Sequence, residues 1–136
     1  MRVKLDVGAF APTRAHSTDA GLDLYATEDA IISAGSNAIF HTGVHIQLPP
    51  GHAGLLVSKS GLNMFHNITS TGLIDEGYTG EIVVKLYNHG NESYSIKRGD
   101  KISQLVVFPV AYECVEIVDN LDDSERGTNG FGSSGK

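Results

Sequence analysis

Glu81-Ile82-Val83-Val84-Lys85-Leu86-Tyr87 is the stretch whose reading decides the fold. Ile82, Val84 and Leu86 alternate with Val83 and Lys85, the period of two that sends successive side chains to opposite faces of a strand. Downstream, Ile102-Ser103-Gln104-Leu105-Val106-Val107-Phe108 makes another such run and stops at Pro109. Upstream, Ala53-Gly54-Leu55-Leu56-Val57 is short and apolar, as a buried strand is. Val44, Ile46 and Leu48 share a face and run into the Pro49-Pro50-Gly51 turn. Near the beginning, Val3, Leu5 and Val7 do the same. Turn signals separate these runs: Ser33-Ala34-Gly35-Ser36-Asn37, His89-Gly90-Asn91 and Arg98-Gly99-Asp100. The spacing predicts an all-β sandwich or barrel.

One stretch predicts a short helix, Ser60-Gly61-Leu62-Asn63-Met64-Phe65, placed after a strand. Its first N–H groups would face whatever sits by Ser60, a natural place for phosphate. Glu113-Cys114-Val115-Glu116-Ile117-Val118 reads as a further strand, with Cys114 a small packed residue rather than a reactive thiol. After Val118 the composition changes. Residues 119–125 carry four acids and read as a linker; residues 126–136 are glycine-rich and too poor in apolar surface to fold alone. The expected organisation is a β domain over 1–118, an acidic linker over 119–125 and a flexible C-terminal arm over 126–136.

The chain's 136 residues suggest one domain with a self-sufficient core. A hydrophobic share of 40% and a net charge of −6 suit a globular protein without the broad basic surface that duplex nucleic acid requires. A small polyanion remains open to it, met locally by a few basic groups, backbone N–H groups or a cation. A single cysteine excludes an internal disulfide, and the six histidines lie in no zinc-like spacing with it. Met1 to Val7 reads as a strand instead of a leader, and no apolar run approaches a membrane span. The expected location is intracellular: cytoplasmic, or the host cytoplasm for a viral protein. No membrane partner is expected.

Five short stretches carry candidate chemistry. Arg126-Gly127-Thr128-Asn129-Gly130-Phe131-Gly132-Ser133-Ser134-Gly135 reads either as a flexible end or as a phosphate-closing arm. In the second reading Phe131 lies on a planar ring and Arg126 adds a charged fork. Asp75, within Gly72-Leu73-Ile74-Asp75-Glu76-Gly77-Tyr78-Thr79-Gly80-Glu81, reads as part of a hairpin turn, or as a general base beside a ring-binding wall. Asp23, between Leu22 and Leu24, is a turn residue or a metal-linked carboxylate. Ser58-Lys59-Ser60-Gly61-Leu62 stands at the strand-to-helix junction. Gln104 is an unusual polar residue in the apolar run that follows Arg98-Gly99-Asp100-Lys101.

Taken in this order, the five stretches resemble the motifs of the trimeric dUTPases, and they span residues 19 to 135. The resemblance implies a jelly-roll-like β sandwich (a β-clip) assembled as a homotrimer, with active sites at subunit interfaces and the arm supplied by a neighbouring subunit. It implies Mg²⁺-dependent hydrolysis of dUTP to dUMP and pyrophosphate, which limits uracil incorporation into DNA and supplies dUMP for dTMP synthesis. By resemblance Asp75 activates the water that attacks the α-phosphate in line. Tyr78 packs on the deoxyribose. The backbone of a narrow hairpin around Thr69, Gly72, Leu73 and Ile74 reads uracil. Asp23 holds magnesium through water. Lys59, Ser60, Gly61 and Gln104 meet the phosphates; Phe131 stacks on uracil; Arg126, Gly132, Ser133 and Ser134 wrap the triphosphate.

Two positions depart from the family pattern. Lys59 stands where arginine is usual, keeping the charge without the planar fork. Thr69 stands where many relatives have asparagine. The nearest rival is dCTP deaminase, a relative with the same fold. Its catalytic glutamate precedes asparagine by three residues, where Lys85-Leu86-Tyr87-Asn88 has lysine. A nucleotide-gated binding protein on the same fold is the alternative of a different class.

Overall fold

The computed structural model describes residues 1–130. Among the described residues ten strands and one helix follow in order: β1 (Arg2–Leu5), β2 (Gly21–Tyr25), β3 (Ala30–Ile32), β4 (Asn37–Gln47), β5 (His52–Val57), α1 (Ser60–His66), β6 (Ile68–Thr69), β7 (Thr71–Ile74), β8 (Glu81–Asn88), β9 (Tyr94–Ile96) and β10 (Lys101–Pro109). Two four-stranded sheets, in the orders β1-β4-β8-β6 and β2-β10-β5-β7, and a β3-β9 pair are antiparallel throughout. The expected all-β sandwich is present, with the one short helix in its expected place.

Period-two patterning decides which faces meet. Ile82, Val84 and Leu86 of β8 are fully buried, while Val83 on the other face is exposed. They join Phe40, Val44 and Ile46 of the neighbouring β4 and, across the interior, Leu24 of β2 and Ile102 and Leu105 of β10 in one core cluster. Burial of a large aliphatic side chain stabilises by about 1.5–3 kcal/mol, so this set dominates folding. Among the described residues no helix is long and apolar enough to cross a membrane.

β4 is interrupted by a bulge between His41 and His45. Gly43 there has φ +65°, and its N–H donates to Glu81 Oε1 at 2.8 Å. The buried Thr42 hydroxyl donates to the Ile82 carbonyl at 2.5 Å.

Three expectations are corrected. β7 and β8 do not form a hairpin around Asp75: β7 pairs with β5, and β8 with β4 and β6. The run 68–74 likewise does not fold back on itself. It passes from one sheet to the other at Ser70, which lies between β6 and β7. The 75–80 turn is therefore a corner between sheets. The strand expected over 113–118 is also absent, and Cys114 is exposed. The last backbone bond tying this segment to the sandwich is Val110 N–H to Gly51 O at 2.9 Å, and Tyr112 adds a side-chain bond to Glu76. Beyond it no described strand edge pairs with the chain, so alternating apolar residues remain uncovered, with Val115 92% and Ile117 94% exposed.

Candidate functional site

The β2-β10-β5-β7 sheet carries residues from three of the five stretches, and a fourth begins where the chain leaves β5. Asp23 lies opposite Gln104, Gln104 opposite Val57, and Val57 opposite Thr71. These four residues form one row across four strands, and the chain leaves β5 at Ser58 and Lys59 beside it. Strand register thus gathers Asp23, Gln104, Lys59 and Ser60, which are far apart in sequence, at one end of the sheet.

Asp23 is buried, only 4% exposed. Lys59 Nζ lies 2.5 Å from its Oδ1 and Lys101 Nζ 2.8 Å from its Oδ2. Burial pushes the Asp23 carboxyl up, but the hydrogen bonds from Lys101 and Lys59 outweigh it and hold the group below its usual range. The Asp23 carboxylate in turn raises Lys101. Gln104 Nε2 donates to the Ser58 carbonyl at 3.0 Å. Its side chain lies over Gly21, where a Cβ would collide with it. Beneath the row, Ser58 Oγ accepts the Ser70 N–H at 2.9 Å, and the buried Ser70 and Ser103 hydroxyls pair at 2.8 Å.

Ser60 opens α1 and is exposed. Lys59 occupies the N-cap position in extended conformation and supplies no side-chain cap. A Cβ at Gly61 would meet nothing within 4 Å, so this chain's own packing does not require the glycine.

The other group of candidates lies at the opposite end of the sheet. Asp75 follows the last residue of β7, four positions beyond the row. At about 3.3 Å per residue and about 4.8 Å per strand, its Cα stands roughly 19 Å from that of Asp23. Asp75 is exposed and lines a cleft of about 470 Å³ with Leu73, Glu76, Gly77, Ala53, Phe108, Val110 and Tyr112. Leu73 is exposed and Ile74 buried, so only the first offers its side chain as a wall; Ile74 belongs to the core. Gly72 packs its bare Cα against Leu56. Tyr78 folds back over Gly80 and donates its hydroxyl to the Glu81 carbonyl at 2.9 Å. Thr69 Oγ1 is paired with His89 Nε2 at 2.8 Å.

Arg126 lies apart from both groups, its Nε donating to the Asn129 carbonyl at 2.9 Å within its own turn. Phe131, Gly132, Ser133 and Ser134 lie outside the described residues.

Sequence reasoning assigned no role to Lys101 and passed over Glu76. Glu76 Oε2 accepts from the Tyr112 hydroxyl at 2.7 Å and the Gly51 N–H at 2.9 Å. These bonds, the Tyr112 hydroxyl first, hold its carboxyl below the ordinary range. Only cross-strand register pairs Lys101 with Asp23, so no local pattern could have shown it.

Magnesium prefers oxygen ligands and retains several of its waters. Among the described residues no three His, Cys, Asp or Glu side chains are grouped to hold a metal. Asp23, with both oxygens on ammonium groups, does not fit a metal resident on the free protein.

A family model described as dUTPase matches residues 9–135. A deoxyuridine 5'-triphosphate nucleotidohydrolase of Clostridium acetobutylicum is 45% identical over 97% of this chain and 93% of its own length. The mouse protein of the same name is 43% identical over 98% of this chain and 83% of its own. Among solved structures, a mutant dUTPase of Staphylococcus bacteriophage 80alpha with dUpNHpp superposes with a TM-score of 0.93 at 31% identity, covering 99% of this chain and 98% of that one. A mutant dUTPase of phage phi11 of S. aureus, described with a coordinated structural Mg(II) ion, has a TM-score of 0.81 at 28% identity, covering 88% and 96%.

Proposed function

Because the chain belongs to the dUTPase family, we infer that it is a dUTP diphosphatase that hydrolyses dUTP to dUMP and pyrophosphate. In this reading Asp75 takes a proton from water as the water oxygen bonds to the α-phosphorus. The bond from that phosphorus to the α,β-bridging oxygen breaks, and pyrophosphate leaves. The exposed position of Asp75 at the mouth of an apolar cleft supports this role. The cleft suits a planar base and sugar, with Leu73 as a wall; Tyr78, outside the lining, is assigned to the deoxyribose, and the backbone from Thr69 through Gly72 to Ile74 to reading uracil. Lys59, Ser60, Gly61 and Gln104 are assigned to the phosphates. Magnesium is assigned to the substrate as the counter-ion of its triphosphate, with Asp23 its water-mediated contact on the protein.

The single observation that carries the assembly is the separation of the two groups. Asp75 and Asp23 stand roughly 19 Å apart by strand geometry, too far for one α-phosphate to touch both. A homotrimer that builds each site between subunits resolves this. The uncovered Val115 and Ile117 and the exposed Val3 and Leu5 on edge strand β1 are the surfaces such packing would bury. Residues 119–125 then serve as a tether. The arm, residues 126–136, can reach about 36 Å when extended, enough to close over a neighbour's site with Arg126, Phe131, Gly132, Ser133 and Ser134. Clearing dUTP would limit uracil in DNA and supply dUMP for dTMP synthesis.

The test is pyrophosphate release from dUTP, dCTP, dTTP and UTP in parallel, with and without Mg²⁺, for wild type and Asp75→Asn. Release from dUTP alone, lost in the variant, is expected. Ammonia from dCTP would sink the assignment, and an inactive wild type would favour a nucleotide-gated binding role.

A further inference from the structure

Lys59 and Lys101 share one carboxylate but are mounted differently. Lys101 belongs to β10 and its backbone is held in register with Tyr25 of β2. Lys59 lies outside any ladder, in the two-residue link between β5 and α1. An ammonium on a four-carbon stem is a mobile point charge, and among the described residues Asp23 is the partner of the Lys59 head, as it is of the Lys101 head. Asp19 acts on Lys101 from outside the three paired groups. A lone divalent cation would meet a carboxylate whose two oxygens are already occupied by ammonium groups. A polyphosphate would meet the opposite: a mobile cation whose present partner can be exchanged for phosphate oxygen.

We propose that Lys59 is an exchangeable counter-ion that closes Asp23 to divalent cations in the free protein and leaves it only for a nucleotide's phosphates, so that metal and nucleotide enter together. Lys101 stays behind. It keeps the buried carboxylate ionised while Oδ1 is freed, because an uncompensated buried charge is strongly unfavourable. The substitution of lysine for the usual arginine serves this exchange, since a bidentate guanidinium would leave the carboxylate less readily than a single ammonium. The proposal rests on the assignment of Asp23 to the substrate's metal, made above.

Mn²⁺ is the probe, read by loss of the free hexaaqua signal in electron paramagnetic resonance. Wild type, Lys59→Met, Lys59→Gln and the double variant Asp23→Asn/Lys59→Met are titrated without nucleotide, and wild type again with dUpNHpp. Lys59→Met and Lys59→Gln should bind Mn²⁺ at least about tenfold more tightly than wild type, since an adjacent unit charge has been removed. The double variant should lose that gain, and wild type should take up Mn²⁺ only with dUpNHpp. Equal Mn²⁺ binding by free wild type and both single variants overturns the proposal, as does a gain that survives Asp23→Asn. The readout needs no turnover. Absent dUTP hydrolysis would defeat the functional assignment while leaving the Mn²⁺ contrast to be judged by itself.

Discussion

The Tyr112 hydroxyl donates to Glu76 Oε2 at 2.7 Å, joining the corner that carries Asp75 to the segment that leaves the sandwich. The same oxygen holds the Gly51 N–H. Glu76 is thus a positioning residue for the Asp75 corner. Glu76→Ala should lower kcat for dUTP by about 10- to 100-fold, as small misplacements of a reacting group do, with less change in KM. Tyr112→Phe should show a smaller loss. The sign with pH follows from the lowered Glu76 carboxyl. Its stabilising contribution is present above the ordinary glutamate value of about 4.3 and is lost as pH falls through the lower folded value. The difference in Tm between wild type and Tyr112→Phe should therefore vanish in strong acid.

Two glycines make a paired test. At Gly21 an added Cβ would strike the Gln104 side chain. Gly21→Ala should destabilise by about 1–3 kcal/mol through overpacking and raise KM by displacing the Gln104 amide from the Ser58 carbonyl. At Gly61 the Cβ meets open space. Gly61→Ala should gain up to about 1 kcal/mol from helix propensity yet still raise KM, because the bare Cα serves only an approaching substrate. Thermal melts and steady-state kinetics on both variants check this, and unchanged kinetics in Gly61→Ala would remove Gly61 from the site.

His45 bridges β1 and the Asp75 corner. Its Nε2 faces Asp6 Oδ2 at 3.0 Å and its Nδ1 the Thr79 carbonyl at 3.2 Å. Both partners only accept, so these contacts favour the charged ring, which donates from both nitrogens. The Asp6 hydrogen bond, then that to Thr79, raises the histidine above its ordinary value, against the opposing effects of desolvation and then of Lys4. His41, on Glu81 Oε2 at 2.8 Å, is raised in the same way. A raised folded value means that the stabilisation is complete below about pH 6.5 and is lost as pH climbs through the folded value. Wild-type Tm should fall from mildly acidic to alkaline pH, and His41→Gln/His45→Gln should flatten that slope. A slope unchanged in the double variant would assign it to other groups.

Deleting residues 126–136 removes the proposed arm and leaves every strand and the helix intact. The truncated chain should fold, form the same oligomer as the full chain in sedimentation and still bind dUTP, but turn it over poorly. Full activity would show that the arm does not close the site.

Much of the sandwich was legible because burial has a local signature. Ile82, Val84 and Leu86 announce a strand by their spacing, and that spacing needs no knowledge of what lies opposite. The same reasoning misread Glu113 to Val118. There the alternation is real, but no described edge pairs with it, and pattern alone does not say where a strand's partner lies. The hairpin expected at Asp75 erred for a related reason: turn chemistry marks a reversal without saying whether the next strand pairs with the last. At Asn88 the structure supplies what sequence could not: its buried amide spans the Ile32 and Glu92 carbonyls and the Gly90 N–H.

The sequence by itself determined the strand pattern, the short helix after β5 and the five ordered stretches that point to a nucleotide triphosphate. These are properties of residues near one another in the chain, where side-chain period and turn chemistry act directly. Tertiary structure alone decided that Asp23 and Gln104 share one row with Lys59 beside it, that Lys101 shares the Asp23 carboxylate, and that Asp75 stands at the other end of the sheet. Those relations depend on register between strands, which follows from the burial of whole faces at once and is written in no single stretch.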